Sequence, residues 1–303
     1  MLSVSNSELQ TWRDCKRKWY LNYYLWLTPK EEYPTGVRQL GTRIHAALES
    51  YYRDSKDPAE TIDYIYDTAK SGHLDAEPVL EKERVLAKTM LLGYMDWLQE
   101  TGADEDIEVV SAEEEVRTAG PFEGTELRAK LDVRVRRISD GKRLFIDHKS
   151  VGNFSGSQKL LHLAGQMRFY AMVDRIMGGR DGEYTDGGVY NMLRRTKRTD
   201  RAKPPFYQRV AVTYNETELR SEWLRTSATL AEIMSARVRL DAGEDHRYVV
   251  FSHPSSESSW KCPYYGNLCP QMDDGSRWEE AAEDLFKRED PYAYYEPTIL
   301  DGT

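Results

Sequence analysis

Between residues 127 and 149 the chain alternates apolar and charged residues so as to gather acids and a base on one surface. Leu127, Ala129, Leu131, Val133 and Val135 fall on one side of a period of two. Arg128, Lys130, Asp132, Arg134 and Arg136 fall on the other. Asp140-Gly141, a dipeptide that tolerates positive φ and favours a tight hairpin, is followed by Arg143-Leu-Phe-Ile-Asp147-His148-Lys149. A two-residue turn at 140–141 pairs positions whose numbers total 281, so Asp132 is expected opposite Lys149, with Asp147 diagonal on the same face. Cross-strand partners lie about 5 Å apart at Cβ and diagonal ones about 7–8 Å. Two carboxylates at that spacing can hold a hard divalent cation through oxygen. A lysine beside them can orient an attacking water or stabilise the charge that develops on a phosphate. The set suits metal-assisted phosphodiester hydrolysis. A one-residue slip would carry the acids to the opposite face. The hairpin alone also permits a plainer reading, a surface lattice of ion pairs among Asp132, Asp147, Lys149 and Arg134.

Two other segments offer groups of the same kind. Gly41-Thr-Arg-Ile-His45-Ala-Ala-Leu48-Glu49 reads as helix, with His45, Leu48 and Glu49 at helical spacing. A lone histidine there is commonly a hydrogen-bonded structural residue; as a neutral imidazole it can also ligate a metal. Gln166 and Tyr170 stand four residues apart and share a helix face, where an amide and a phenol can bond a phosphate or a lysine. Taken alone, that pair is equally a surface glutamine beside a core tyrosine.

Together these pieces resemble the PD-(D/E)XK nuclease superfamily, in particular its RecB/AddB-like branch, which includes the CRISPR-adaptation "Cas-four" exonucleases and phage-encoded relatives. Asp132 followed by Asp147-x-Lys149 is similar to the family's active-site signature. The segment 41–49 looks like its Gly-x-x-x-His-x-x-Leu-Glu helix, in which the histidine is a metal ligand, which implies ligation by His45. Residues 166–170 match its Gln-x-x-x-Tyr motif. The opening SNSELQTWRDCKRKWYLNY is similar to its amino-terminal signature, with Cys15, Arg17 and Trp19 in the marked places. The resemblance implies Mg²⁺ or Mn²⁺ held by His45, Asp132, Asp147 and the main-chain carbonyl of His148. It also implies a catalytic set of Asp132, Asp147 and Lys149, supported by Gln166 and Tyr170.

The iron–sulfur members of the branch place one cysteine early and three late. Here Cys15 is early and Cys262 and Cys269 are late, and Ser259 stands three residues before Cys262. A four-cysteine [4Fe-4S] site is therefore unavailable. A cluster on Cys15, Cys262 and Cys269 would need His253 or Ser259 as its fourth ligand. The alternative is a metal-free clasp between the first helix and the tail.

Helices are expected over residues 5–25, 39–52, 58–70 and 81–100. The period then changes to two, with strands over 107–117, 127–137 and 142–149. A helix follows over 159–177, strands over 187–193 and 206–213, and a helix over 216–240. The order suggests a single α/β nuclease domain over 1–303, a central mixed sheet flanked by helices. Within it lie a helical region and insertion over about 1–105, a catalytic α/β core over about 106–245, and a cysteine-containing clasp over about 246–303.

The 303 residues carry 42 Lys and Arg against 51 Asp and Glu, a net charge of −9, with 31% charged and 40% apolar residues. That composition excludes a disordered or collagen-like chain. Three cysteines exclude a disulfide framework and suggest a reducing compartment. There is no apolar run of about 18 residues and no apolar signal-peptide core at the start, so the expectation is a cytoplasmic protein (host cytoplasm if phage-encoded) with no membrane partner. The acidic balance argues on its face against nucleic acid. Yet residues 194–203, RRTKRTDRAK, hold six basic residues and one acid, a local +5 that leaves −14 on the remainder. Smaller basic groups are Arg13, Lys16, Arg17 and Lys18, and the strand residues Arg128 to Arg137. A basic channel on an acidic protein can bind phosphates. The expected function is a metal-dependent exonuclease acting at DNA ends in recombination, repair or processing, with DNA as partner and a recombination or helicase protein beside it. The alternatives are a DNA-end-binding assembly factor with little turnover and a structure-specific endonuclease.

Overall fold

A computed structural model describes residues 1–31, 33–155, 165–181, 185–253 and 262–295. Along the chain run β1 (Leu2–Ser5), α1 (Asn6–Asp14), α2 (Lys16–Trp19), a π turn (Tyr20–Tyr24), β2 (Leu27–Pro29), α3 (Val37–Asp54), α4 (Pro58–Gly72), α5 (Glu77–Thr101), β3 (Ile107–Ala119), β4 (Thr125–Arg137), β5 (Arg143–Val151), α6 (Gly165–Asp181), β6 (Gly187–Arg194), β7 (Tyr207–Val212), α7 (Glu216–Asp241), α8 (His246–Val249), α9 (Cys269–Asp274), α10 (Trp278–Leu285) and β8 (Phe286–Arg288). They divide into two compact units. One comprises Met1–Glu32, Ala119–Arg128 and Arg220–Thr303; the other comprises Tyr33–Thr118 and Ala129–Leu219.

The second unit is built on a mixed sheet. β4 pairs with β3 and, antiparallel, with β5; β5 runs parallel to β6; β6 and β7 are antiparallel. Parallel neighbours need a crossover, and α6 lies in the stretch joining β5 to β6. Helices α3, α4 and α5 cover one face. Asp57 caps α4 by accepting from the main-chain N–H groups of Ala59 and Glu60, with Pro58 in the first turn. α5 stops at Gly102, whose φ of +61 suits glycine and whose N–H closes on Leu98. Ile44, Leu48, Tyr66, Leu80, Leu91 and Tyr94 from these helices form one core with Val133, Val135, Leu144 and Ile146 of the sheet. Each fully buried aliphatic side chain contributes about 2 kcal/mol relative to exposure. The dry face expected for residues 133 and 135 is thus the helix-covered face.

The β4–β5 register differs from the two-residue-turn expectation. Val133 faces Ile146 and Arg136 faces Arg143, so paired numbers total 279 rather than 281. A two-residue type I′ turn needs positive φ at both central positions, and only Gly141 has it, at +70. A four-residue loop closes instead. The Gly141 N–H donates to the Arg137 carbonyl, the Arg137 N–H donates to the Lys142 carbonyl, and Ser139 donates from its amide and hydroxyl to Asp106. A change of two in the total preserves every side chain's face, since the strand period is two.

α6 is drawn tightly onto the sheet at Gly188, where a Cβ would stand 2.5 Å from Met167 Cε and 2.8 Å from the Phe145 ring. A buried ion pair does the same further along. Asp174 of α6 receives Arg134 of β4 on one oxygen, and on the other the amide and hydroxyl of Thr185 at 2.7 and 2.8 Å.

In the first unit β1 runs parallel to the opening residues of β4, Leu2 opposite Thr125 through Ser5 opposite Arg128, and β2 pairs with β8. The helix expected over 5–25 starts at a Ser5 cap on the Glu8 N–H but breaks at Cys15, which is extended at φ −162. The break turns Trp19 back onto α1, where its ring meets Trp12 edge-on at 4.8 Å and its indole N–H donates to buried Glu8 at 2.7 Å. No helix among the described residues is long and apolar enough to cross a membrane.

Candidate active site

The charged face of the β4–β5 hairpin supplies the first group. Beyond the Val133–Ile146 pair the register sets Asp132 against Asp147. Asp132 Oδ2 accepts the main-chain N–H of His148 at 2.8 Å and lies 3.3 Å from His45 Nδ1 on α3. Glu113 of β3 joins them. One ligand atom each from His45, Glu113 and Asp132 lies within 4.8 Å of the others. Glu113 is held by Lys130 of β4 at 2.6 Å, and its φ of +54 is left-handed within a strand. Such conformations cost of order 1–3 kcal/mol and persist where surroundings impose them. One imidazole and two carboxylates, half-buried and convergent, fit a hard divalent cation.

The second group adjoins the first along β5. Asp147 is 2% exposed, and its carboxylate meets the Lys149 ammonium at 2.9 Å. Lys149 also donates to Gln166 Oε1 at 3.0 Å, and Gln166 Nε2 donates to the Tyr170 hydroxyl at 2.8 Å. Gln166, Tyr170 and Asp174 recur every four residues on α6, so the Arg134–Asp174 pair that docks the helix also sets the height of Gln166. Arg134 pairs with Asp174 and, at 3.2 Å, with Glu114. The plain ion-pair lattice therefore does not form as such, because Arg134 is engaged elsewhere.

Electrostatics follow from this packing. Burial favours neutral His45, but the charge and hydrogen bond of Asp132 outweigh it and hold the imidazole above its ordinary pKa. Burial opposes ionisation of Asp132, yet His45, then His148 and Lys149, hold the carboxyl well below the usual range. Burial raises Asp147 despite Lys149 beside it. Lys149 is itself raised, Asp147 and Asp132 overcoming the cost of its burial. Burial, then the charge of Asp132, pushes Glu113 up to about 7, against the pull of Lys130.

The structure thus brings together His45, Asp132, Asp147, Lys149, Gln166 and Tyr170. Asp147 lies outside the three-residue donor set and is engaged with Lys149. The His148 side chain turns to the helix-covered face, where it stacks on Tyr52 with ring centroids 5.5 Å apart. Glu113 is the addition that the sequence motifs did not supply. Its signal was present: Glu113-Glu114-Glu115 interrupts the alternation of the strand, and such a break marks a place where a side chain is re-aimed.

Cys15, Cys262 and Cys269 all belong to the first unit, and each is half-buried. The main-chain N–H of His253 donates to Cys15 Sγ at 3.4 Å. Burial raises the Cys269 thiol to about 11, with Cys262 and Cys15 near enough to add to the shift. Ser259 lies outside the described residues. Among the described residues the three sulfurs do not form a donor set within 4.8 Å of one another. Three cysteines do not meet the four-ligand need of a cluster.

Residues 3–270 match the family model of the PD-(D/E)XK nuclease superfamily. The chain belongs to that superfamily. The Asp132 and Asp147-x-Lys149 positions, whose spacing in the sequence resembles that superfamily's signature, sit here on adjacent strands of a mixed sheet flanked by helices. Solved structures that it resembles include that titled SSO0001, at 14% identity over 76% of each chain with a TM-score of 0.34. The alkaline exonuclease LHK-Exo from Laribacter hongkongensis matches at 12% identity, over 67% of this chain and 94% of that one, with a TM-score of 0.32. The same exonuclease in complex with dAMP matches at 13% identity, over 67% and 95%, with a TM-score of 0.30. These likenesses are weak, and the family assignment rests on the match over residues 3–270. No curated protein matches the sequence.

Proposed function

We propose that this PD-(D/E)XK nuclease is a DNA exonuclease of the RecB/AddB-like kind that hydrolyses phosphodiester bonds at DNA ends with Mg²⁺ or Mn²⁺. The observation that carries the reading is the convergence of His45, Glu113 and Asp132 beside a lysine held between Asp147 and Gln166. His45, Asp132 and Glu113 would hold the cation, with Asp147 and the His148 carbonyl on the adjoining strand. A bound divalent ion supplies positive charge for the phosphate and acidifies its water. Lys149 keeps its proton, since its pKa is raised. Its ammonium can therefore orient a water for attack on phosphorus or donate to the oxygen on which charge develops. Asp147 and Gln166 each fix one direction of that ammonium, and Tyr170 fixes Gln166. The preference for ends rests on the resemblance of the Cys15-to-Trp19 and Gly41-to-Glu49 segments to the RecB-like branch.

The test is cleavage of 5′- and 3′-end-labelled linear DNA, beside a closed circle, in Mg²⁺ and in Mn²⁺. Progressive mononucleotide or short-oligonucleotide release from linear DNA alone is expected. Linearisation of the circle would reverse the exonuclease assignment. Binding without cleavage in either metal would favour an end-binding factor.

A further inference from the structure

Behind the hairpin, on the helix-covered face, lies a polar network that the hydrolytic site does not use directly. Asn191 of β6 pairs with His148 in the parallel β5–β6 ladder and is fully buried. Arg209 of β7 donates to Asn191 Oδ1 at 3.2 Å. A guanidinium has donors only, so this bond fixes the orientation of the Asn191 amide: its oxygen faces Arg209 and its nitrogen must donate. Asn191 Nδ2 then donates to the Tyr94 hydroxyl at 2.9 Å and to His148 Nδ1 at 2.8 Å. His148 Nδ1 is thereby an acceptor, and the imidazole proton resides on Nε2. Arg209 also donates to the Tyr94 and Tyr52 hydroxyls at 2.8 and 3.0 Å and to the Ala103 carbonyl at 2.8 Å. Tyr52 donates onward to Asp104, which pairs with Arg209 at 2.6 Å. From Arg209 the donors run outward along two branches, one through Tyr52 to the Asp104 carboxylate and one through Asn191 to His148 Nδ1.

We propose that Asn191, oriented by Arg209, is a positioning residue for the hydrolytic site and acts through His148. His148 is the residue between Asp147 and Lys149, and its main-chain N–H is the donor that holds Asp132 Oδ2. Its side chain is gripped from behind by Asn191 and by the face of Tyr52. Releasing that grip lets the dipeptide plane rotate, which moves the N–H away from Asp132 and carries Asp147 and Lys149 with it. Outer partners of metal-site residues typically change metal affinity or activity about 10–100-fold when removed. The inference rests on the reading of His45, Glu113 and Asp132 as the metal donors.

The experiment measures Mn²⁺ affinity by electron paramagnetic resonance, and kcat and KM on linear DNA, for wild type, Asn191→Leu, Arg209→Lys and Lys149→Ala. Circular dichroism and Tm establish folding. Asn191→Leu, close in volume, is expected to fold, to bind Mn²⁺ about 10–100-fold more weakly, and to lose kcat with little change in KM. Arg209→Lys keeps the charge beside Asp104 but loses the fork, and is expected to change both quantities in the same direction. A ¹⁵N spectrum should place the His148 proton on Nε2 in wild type and show the two tautomers mixed in Asn191→Leu. If folded Asn191→Leu binds Mn²⁺ and turns over like wild type, the inference is wrong. Should Asn191→Leu fail to fold, Arg209→Lys is judged by the same criterion. If wild type binds no Mn²⁺, or Lys149→Ala cleaves like wild type, the reading of the site itself fails, and the inference falls with it.

Discussion

Lys149 carries its charge into a half-buried place between two acids, and its neighbours decide where the ammonium points. Asp147 and Gln166 hold it at 2.9 and 3.0 Å, an arrangement only partly legible in the sequence. Residue types and spacing put Asp132, Asp147 and Lys149 on one face, and the family resemblance added His45, Gln166 and Tyr170. Glu113 was not found, because the Glu113-Glu114-Glu115 break in alternation does not say which of the three acids is re-aimed, and that depends on a left-handed residue inside a strand. Its contribution is separable. Glu113→Gln keeps shape and loses charge, so Mn²⁺ affinity by calorimetry should fall about 10-fold or more while the fold and Tm hold, consistent with the removal of one charged ligand. Affinity should also depend on pH. Glu113 titrates at about 7 and His45 above its ordinary value, and both must lose a proton to ligate. Mn²⁺ binding should therefore strengthen from about pH 6 to about pH 8 with net proton release. Affinity independent of pH over that interval would remove both residues from the ligand set.

At the scale of elements, the β4–β5 hairpin shows what sequence patterning can and cannot fix. Alternation set the faces of Asp132, Asp147 and Lys149 correctly, because a face depends only on parity. The pairing of Asp132 was displaced by two residues, because loop length depends on Ser139 and Asp106 meeting across 33 positions of chain. The break at Cys15 was likewise invisible, since it is stabilised by Trp19 packing back on Trp12 rather than by any local breaker. The docking of α6 yields two tests. Asp174→Ala removes one of the two acids that pair with buried Arg134 among the described residues and should destabilise by about 3 kcal/mol, read from denaturant unfolding. Gly188→Val forces Met167 and Phe145 apart and should cost about 1–3 kcal/mol. Because Met167 adjoins Gln166, its kcat should fall even where the protein remains folded. Unchanged stability in both variants would show that α6 is held by something else.

Over the whole chain, a charge of −9 conceals the local +5 of residues 194–203. The run leaves β6 at Arg194, which faces Val151 in the ladder, two residues past Lys149. Arg194 bonds the Lys203 carbonyl at 3.0 Å, and Arg198 lies 3.4 Å over Phe206, so these two shape the segment. Lys197 and Arg201 are exposed and suited to phosphate. Their replacement by alanine should weaken DNA binding at low salt and lower the salt slope by about 1 for each phosphate left without its cation, with Mn²⁺ affinity unchanged. An unaltered slope would place the DNA elsewhere. The central claim, hydrolysis by the Asp132–Asp147–Lys149 constellation, is tested most directly with end-labelled linear DNA and Mn²⁺, comparing wild type with Lys149→Ala of verified fold. Metal-dependent cleavage by wild type, abolished by chelation and reduced on the order of 10²–10³-fold or more in the variant, is the predicted result; equal cleavage by the two proteins would contradict it.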